Sequence, residues 1–445
     1  MHSRSQASIA AGRAISVAEI ERRTIRKLRF RILPLLFVLY IIAFVDRINI
    51  GFAALTMNKE LAINNQQFGF LAGIFFCGYF LFEIPSNLLL YKIGARMWIV
   101  RILITWGIAA TLRGLVHTVH QLYLMRFLLG LAEAGYSSGI VLYLSYWFPQ
   151  REQARAIALF MTAIPVANIA GAPISGLILD HIHWRTMSSW RWLLILEGVP
   201  AIFFGAITYL LLPSGPGEAK FLSQDEKNWL TAELAREQET KTGEHSISAL
   251  RALSNRRVWH LACIALTFQM GQYVVYFWMP QAIKSLSALY SNTVVGILVM
   301  IPYLTALVAI ILVSRSSDRR LERRYHTAIP LIVGGIALVL LHTSASPFLS
   351  VAMWSMAAAS LGALGPFWSL PNEFLAGASA AAGIALVNSI GSLGGFFGPY
   401  VFGAVAHGVG GIYRSLTILS TSWLVSAALT LLLPKAIHAS ARDDG

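Results

Sequence analysis

The sequence predicts an all-α membrane protein: twelve transmembrane helices in two six-helix pseudo-repeats. Three observations carry that prediction. Of 445 residues, 56% are hydrophobic and only 13% charged, where soluble domains carry about 25% charged residues. The apolar residues gather in windows of about 20, long enough for a helix to cross the hydrocarbon core and longer than a membrane strand needs. Short matches also recur between the halves at one constant offset. Ile157-Ala158-Leu159 returns as Ile384-Ala385-Leu386, Gly135 as Gly362, Gly171 as Gly398, Gly176 as Gly403, and Lys92 and Arg96 as Arg319 and Arg323.

In chain order, residues 1–30 form a basic tail with Arg22, Arg23, Arg26, Lys27 and Arg29, and no small-residue cleavage site follows it. It is not expected to be a cleaved signal. A first bundle occupies 31–212, with windows near 31–54, 67–90, 98–116, 120–144, 155–178 and 192–212. Pro213-Ser214-Gly215-Pro216-Gly217 closes it. The linker 213–257 is charged and amphipathic (Glu226, Lys227, Trp229, Leu230, Glu233, Leu234, Arg236); it reads as surface helix or as disorder. A second bundle occupies 258–434, with windows near 258–280, 293–313, 326–343, 347–371, 380–406 and 412–433, and a short tail, 435–445, follows.

Most of the 35 Lys and Arg lie in the tails, in the linker, and in the loops after even-numbered windows. By the positive-inside rule this places both termini in the cytoplasm; a bacterial inner membrane is the expected location. The net charge of +14 is thus a matter of topology. No aromatic-interleaved basic platform suggests nucleic acid. Cys77 and Cys263 both fall inside apolar windows, so no disulfide framework is expected. His117, His120, His181, His183, His342 and His407 fall at span ends or loops without metal-ligand spacing. The runs Gly171-Ala172-Pro173 and Gly394-Gly395-Phe396-Phe397-Gly398-Pro399 lack the Lys-Ser/Thr of a phosphate loop and suit close helix packing. No metal, cofactor or enzymatic centre is expected.

Chemistry concentrates in four charges. Asp46 and Arg47 stand side by side inside the first window, and Arg126 and Glu133 lie inside the fourth. Ionised groups at bilayer depth are costly and face partners or cavities. Arg126 and Glu133, seven residues apart, share a helix face to within about 20° but are separated by about 10 Å along the axis. Arg47 and Arg126 fall at similar depth, and two guanidiniums at one level suit a carboxylate. Asp46 and Glu133 are then the proton carriers: an anion that occupies the arginines relaxes their hold on the acids and favours protonation. The alternative is a fixed charge cluster that holds the bundle together, and Asp46 either titrates or steers an arginine.

Further polar groups complete a cavity or glue helices together. Tyr79 lies one turn from Glu83, which with Pro85 and Asn87 suits a structural or gating role. Gln269, Gln272, Tyr273 and Tyr276 form one polar stripe at helical spacing. Trp368 and Asn372 share a face, as do Asn388 and Ser392. Tyr273, Tyr276 and Trp368 would make an aromatic wall for a compact or aromatic acid. The second half has no matching deep charge and is expected to set selectivity.

Several motifs together carry a family resemblance: Asp46-Arg47-Ile48-Asn49-Ile50-Gly51, Phe82-Glu83-Ile84-Pro85-Ser86-Asn87, the run from Arg126 to Gly135, Tyr146-Trp147-Phe148-Pro149, Phe277-Trp278-Met279-Pro280, and Gly365-Pro366-Phe367-Trp368-Ser369-Leu370-Pro371. Over nearly its whole length the chain resembles the major facilitator superfamily, and within it the anion:cation symporter family of organic-anion permeases. Its second span is closer to the tartrate, phthalate and hydroxyphenylacetate branch than to the sugar-acid branch. The resemblance implies a proton-coupled symporter, a monomer, importing a small organic carboxylate by alternating access. It also implies substrate-binding arginines and protonatable acids at the matching positions. Exchange, export, sugar-acid symport and a non-transporting anion sensor are the alternatives. One departure stands out. The loop after span two reads Asn87, Tyr91-Lys92 and Gly94-Ala95-Arg96, without the usual Asp, while its second copy keeps Asp318-Arg319 and Arg323 but has Leu321 for glycine. The second copy is therefore expected to take more of the latch role.

Overall fold

A computed structural model describes residues 2–241, 255–341, 346–371, 377–407 and 411–434. Among the described residues there is helix and no strand. Spans one to six are Leu33–Glu60, Asn65–Ile93, Ala95–Leu112, Val119–Ser145, Gln150–His181 and Ser189–Leu211. Spans seven to twelve are Arg256–Lys284, Asn292–Arg320, Arg324–Leu340, Pro347–Ser369, Gly377–Ala406 and Gly411–Leu431. Ten stretches meet the length and apolarity of a membrane crossing outright; spans nine and twelve complete the set.

Polar residues start these helices. Asn64 and Thr118 each form a reciprocal capping box, with Gln67 and Gln121, at spans two and four. Ser291 and Ser346 cap spans eight and ten, the latter with Pro347 in the first turn. The basic segment before span one is itself helical, His2–Arg31, and the linker carries a helix over Gln224–Lys241.

Span four is not the unbroken helix its apolar window suggests. It runs Val119–Glu133, breaks at Ala134 and Gly135, and resumes as Tyr136–Ser145. Gly135 takes the left-handed conformation at φ +82°, where glycine is the least strained residue. Ser86 donates to the Ala134 carbonyl at 2.6 Å and accepts from Trp98 Nε1 at 2.9 Å. One of the carbonyls freed by the break is thus satisfied from spans two and three. Span five turns at Thr162, and span ten passes through a short 3-10 segment, Ser360–Ala363.

The two halves meet along three pairs: spans two and eleven and spans five and eight run antiparallel, and spans one and seven parallel. At the face where span one ends the pairs are tied closely. Asp180 accepts from the backbone N–H and side chain of Asn292 (3.1 and 2.8 Å) and of Thr293 (2.7 Å each), capping span eight from the opposite half. Asn65 donates to the Ala406 carbonyl at 3.0 Å and Asn58 to Gln281 at 3.3 Å. Gly296 lies against the Ala172 carbonyl, so close that a Cβ there would collide with backbone.

Toward the other face, Glu83 on span two accepts from Asn388 (3.1 Å) and Ser389 (3.0 Å) on span eleven. At that face itself, Arg29–Glu152, Lys27–Glu226 and Arg151–Glu21 ion pairs join the N-terminal helix, span five and the linker helix. The loop after span two fastens within its own half, Arg96 reaching the Tyr209 carbonyl and Ser214. Its second copy pairs Arg323 with Asp318, and Leu321 sits in the left-handed region at φ +50°, where the family pattern has glycine.

Candidate substrate-binding site

Adjacent residues on a helix point about 100° apart, so Asp46 and Arg47 serve different surroundings. Arg47 turns toward span four and forms an ion pair with Glu133; both are buried. The rings of Phe44, Phe75 and Tyr79 stand 5.2, 5.3 and 5.7 Å from its guanidinium carbon. Arg126, fully buried, donates through Nη2 to the Arg47 carbonyl at 3.1 Å. Its guanidinium carbon lies 5.2 Å from the Phe75 ring centre and 5.7 Å from Phe277. The two arginines therefore share one aromatic face at one level, an arrangement worth more where water is excluded.

Satisfaction is uneven within this cluster. Nε and Nη1 of Arg126, Nε of Arg47 and Oε2 of Glu133 have no hydrogen-bond partner in the protein. Buried unpaired donors of a charged group are unfavourable until an acceptor reaches them. An incoming carboxylate presents two acceptor oxygens to a planar fork and meets that need. Glu133, the last residue before the span-four break, joins the arginines to a point where the helix is discontinuous. Broken helices of this kind line binding sites in membrane transporters.

Asp46 faces the other way. It is fully buried and accepts from Arg113 as an ion pair, from Trp106 Nε1 at 2.8 Å and from Asn49 Nδ2 at 3.1 Å. It bonds to neither Arg47 nor Arg126, so the arginine it steers is Arg113. That partner went unassigned in the sequence reading, as did Trp106 and the buried acid Glu197, which accepts from Ser175 at 2.8 Å. Arg113 and Glu197 both fall inside apolar windows, the same signal that singled out Arg126. Their pairing across spans one, three, five and six is tertiary and has no local spacing.

Tyr79 and Tyr273 are buried beside the arginines' aromatic shell, Tyr273 with its ring centre 4.3 Å from Phe76. Tyr276 meets Phe44 edge-on and accepts from Gln272 at 3.1 Å, so part of the polar stripe is occupied with itself. Gln269 is buried and abuts Gly391 on span eleven. Trp368 is half-buried and packs edge-on against its neighbour Phe367. Asn388 donates to Glu83 across the halves at 3.1 Å. Asn372 lies outside the described residues. Among the described residues, every buried charged side chain precedes span seven.

Residues 36–399 match the Major Facilitator Superfamily. The chain is 42% identical over 426 residues to the "Putative tartrate transporter" of Agrobacterium vitis, covering 94% of each chain. It is 36% identical to the "Quinolone resistance transporter" of Acinetobacter baumannii, covering 93% of this chain and 96% of that protein. The crystal structure of a D-xylose-proton symporter matches with a TM-score of 0.73 at 16% identity, over 92% of this chain and 98% of that one. That last likeness concerns the fold.

Proposed function

The chain belongs to the Major Facilitator Superfamily, a multi-pass membrane transporter rather than an enzyme, and from that premise we propose that it imports a small organic carboxylate together with protons. The observation that carries the proposal is Arg126: a fully buried guanidinium with two nitrogens unpartnered, one backbone contact away from the Arg47–Glu133 pair. A substrate carboxylate docks on Arg126 and draws Arg47 toward it. Arg47 then releases Glu133, which takes a proton, because an unpaired carboxylate at that depth is unfavourable. Anion and proton binding thereby favour one another. Tyr79, Tyr273 and Phe75 enclose the bound acid, and Gln269 with the second half sets selectivity. Asp46 keeps Arg113 in place.

Tartrate leads the substrate classes, since a relative covering 94% of the chain is named for it. The protein works as a monomer in a bacterial inner membrane with its basic face, and both termini, in the cytoplasm. Proteoliposomes containing the purified chain, loaded at neutral pH and placed in acidic medium, are expected to accumulate labelled tartrate, with competition from related hydroxy or aromatic acids. Absence of any flux, with binding retained, would replace transport by sensing. A second reading, outward flux, is favoured by the relative named for quinolone resistance. Flux that requires internal anion and ignores the proton gradient would instead indicate exchange.

A further inference from the structure

The side of span one away from Arg47 holds an acid that substrate binding leaves unused. Glu197, on span six, is 6% exposed and forms no ion pair among the described residues. Its Oε1 accepts from Ser175 of span five at 2.8 Å, while its Oε2 has no partner. Asn49 is fully buried, gives its Nδ2 to Asp46 Oδ1 at 3.1 Å, and leaves its own Oδ1 unpartnered. Two acceptor oxygens, one of an acid and one of an amide, are thus buried without a donor.

Charged and N–H donors favour a buried acid as a carboxylate, and their absence favours the neutral carboxyl. Asp46 has three donors, Arg113, Trp106 and Asn49. Glu197 has one neutral donor. We propose that Glu197 is a proton-binding site, occupied in this conformation. The proton comes from water and returns to it, with no other bond made or broken. Asp46 and Arg113 are the charged groups that face the site, from spans one and three.

The assignment changes the charge of the bundle core. Arg47, Arg113 and Arg126 face Asp46, Glu133 and Glu197. With Glu197 protonated, Asp46 balances Arg113 and Glu133 balances Arg47, leaving Arg126 without a counter-ion among these six. A proton on Glu197 therefore raises affinity for an anion at Arg126. This consequence rests on the carboxylate reading above; the bound proton itself does not.

The test is infrared spectroscopy of the full chain in lipid at neutral pH, following the carbonyl stretch of a protonated carboxyl. The band is expected in the unaltered protein and in Glu133→Gln, and absent in Glu197→Gln. Ser175→Ala, which removes the donor to Oε1, is expected to shift the band to higher frequency. Tartrate affinity in Glu197→Gln should stay near the unaltered value and lose part of its pH dependence. No band in the unaltered protein, a band that survives Glu197→Gln, or one unmoved by Ser175→Ala would overturn the assignment. Loss of tartrate binding in the unaltered protein with the band intact would instead count against the carboxylate reading alone.

Discussion

At the scale of the residue, two guanidiniums share the Phe75 ring but differ in what holds them. Arg47 has Glu133 as its counter-ion, whereas Arg126 has a backbone carbonyl and two free nitrogens. On the proposed mechanism Arg126 is the stronger anion ligand, and its substitution is the more telling. A hydrogen bond to a charged group contributes about 1.5–3 kcal/mol, so Arg126→Ala should weaken tartrate binding by about 10- to 100-fold. Arg126→Lys should recover little of it, since an ammonium cannot offer the planar fork. Unchanged affinity by calorimetry would remove Arg126 from the site. These deep charges were legible in the sequence because each interrupts an apolar window. Their pairing was not. The sequence alone gives Arg113 no reason to find Asp46, because the contact forms only when spans one and three pack.

At the scale of the element, the twelve spans were legible from length and apolarity. The break in span four was not, although Glu133-Ala134-Gly135 carries its glycine. Apolar content cannot distinguish one helix from two in line, and the groups that satisfy the break, Ser86 and Trp98, come from other spans. Two predictions belong here. Leu321 is 64% exposed and sits at φ +50° after span eight, a conformation unfavourable by about 1–2 kcal/mol for a residue with a Cβ. Leu321→Gly should raise thermal stability by about 1 kcal/mol after the extra flexibility of the unfolded chain is deducted; a lower midpoint would contradict this.

The second prediction concerns Glu226 on the linker helix. Burial opposes its ionisation, but Lys27 at 2.7 Å and the Ser223 N–H at 2.8 Å outweigh it and hold the carboxyl below its ordinary value of 4.5. A group depressed in the folded state stabilises fully above its ordinary value and loses that contribution as pH falls through the folded one. Hydrogen exchange over Gln224–Lys241 should therefore rise as pH drops below 4.5, after correction for intrinsic rates. Glu226→Gln should be looser at neutral pH and lack that rise. Identical profiles would disprove the tie.

At the scale of the whole molecule, the halves are held by two polar clasps at different depths. Asp180 caps span eight with four hydrogen bonds at the face where span one ends, and Glu83 joins Asn388 and Ser389 toward the other. On the proposed alternating-access mechanism these open in turn. Spin-label distances between spans five and eight should lengthen in Asp180→Ala, and those between the opposite ends of spans two and eleven in Glu83→Ala. Neither distance changing would show that the clasps do not restrain the halves. Of the gating pair, Glu83 was legible from its depth in span two, but Asn388 was not, since its amide suits a ligand or a neighbouring span equally well until the halves are docked.

The central claim is that Glu133 exchanges its bond to Arg47 for a proton when an organic anion binds. The most direct measurement compares two fluxes in proteoliposomes carrying Glu133→Gln: tartrate accumulation driven by an imposed inward proton gradient, and tartrate counterflow with no gradient. The account predicts that accumulation is lost while counterflow persists. Accumulation equal to that of the unaltered protein would contradict it.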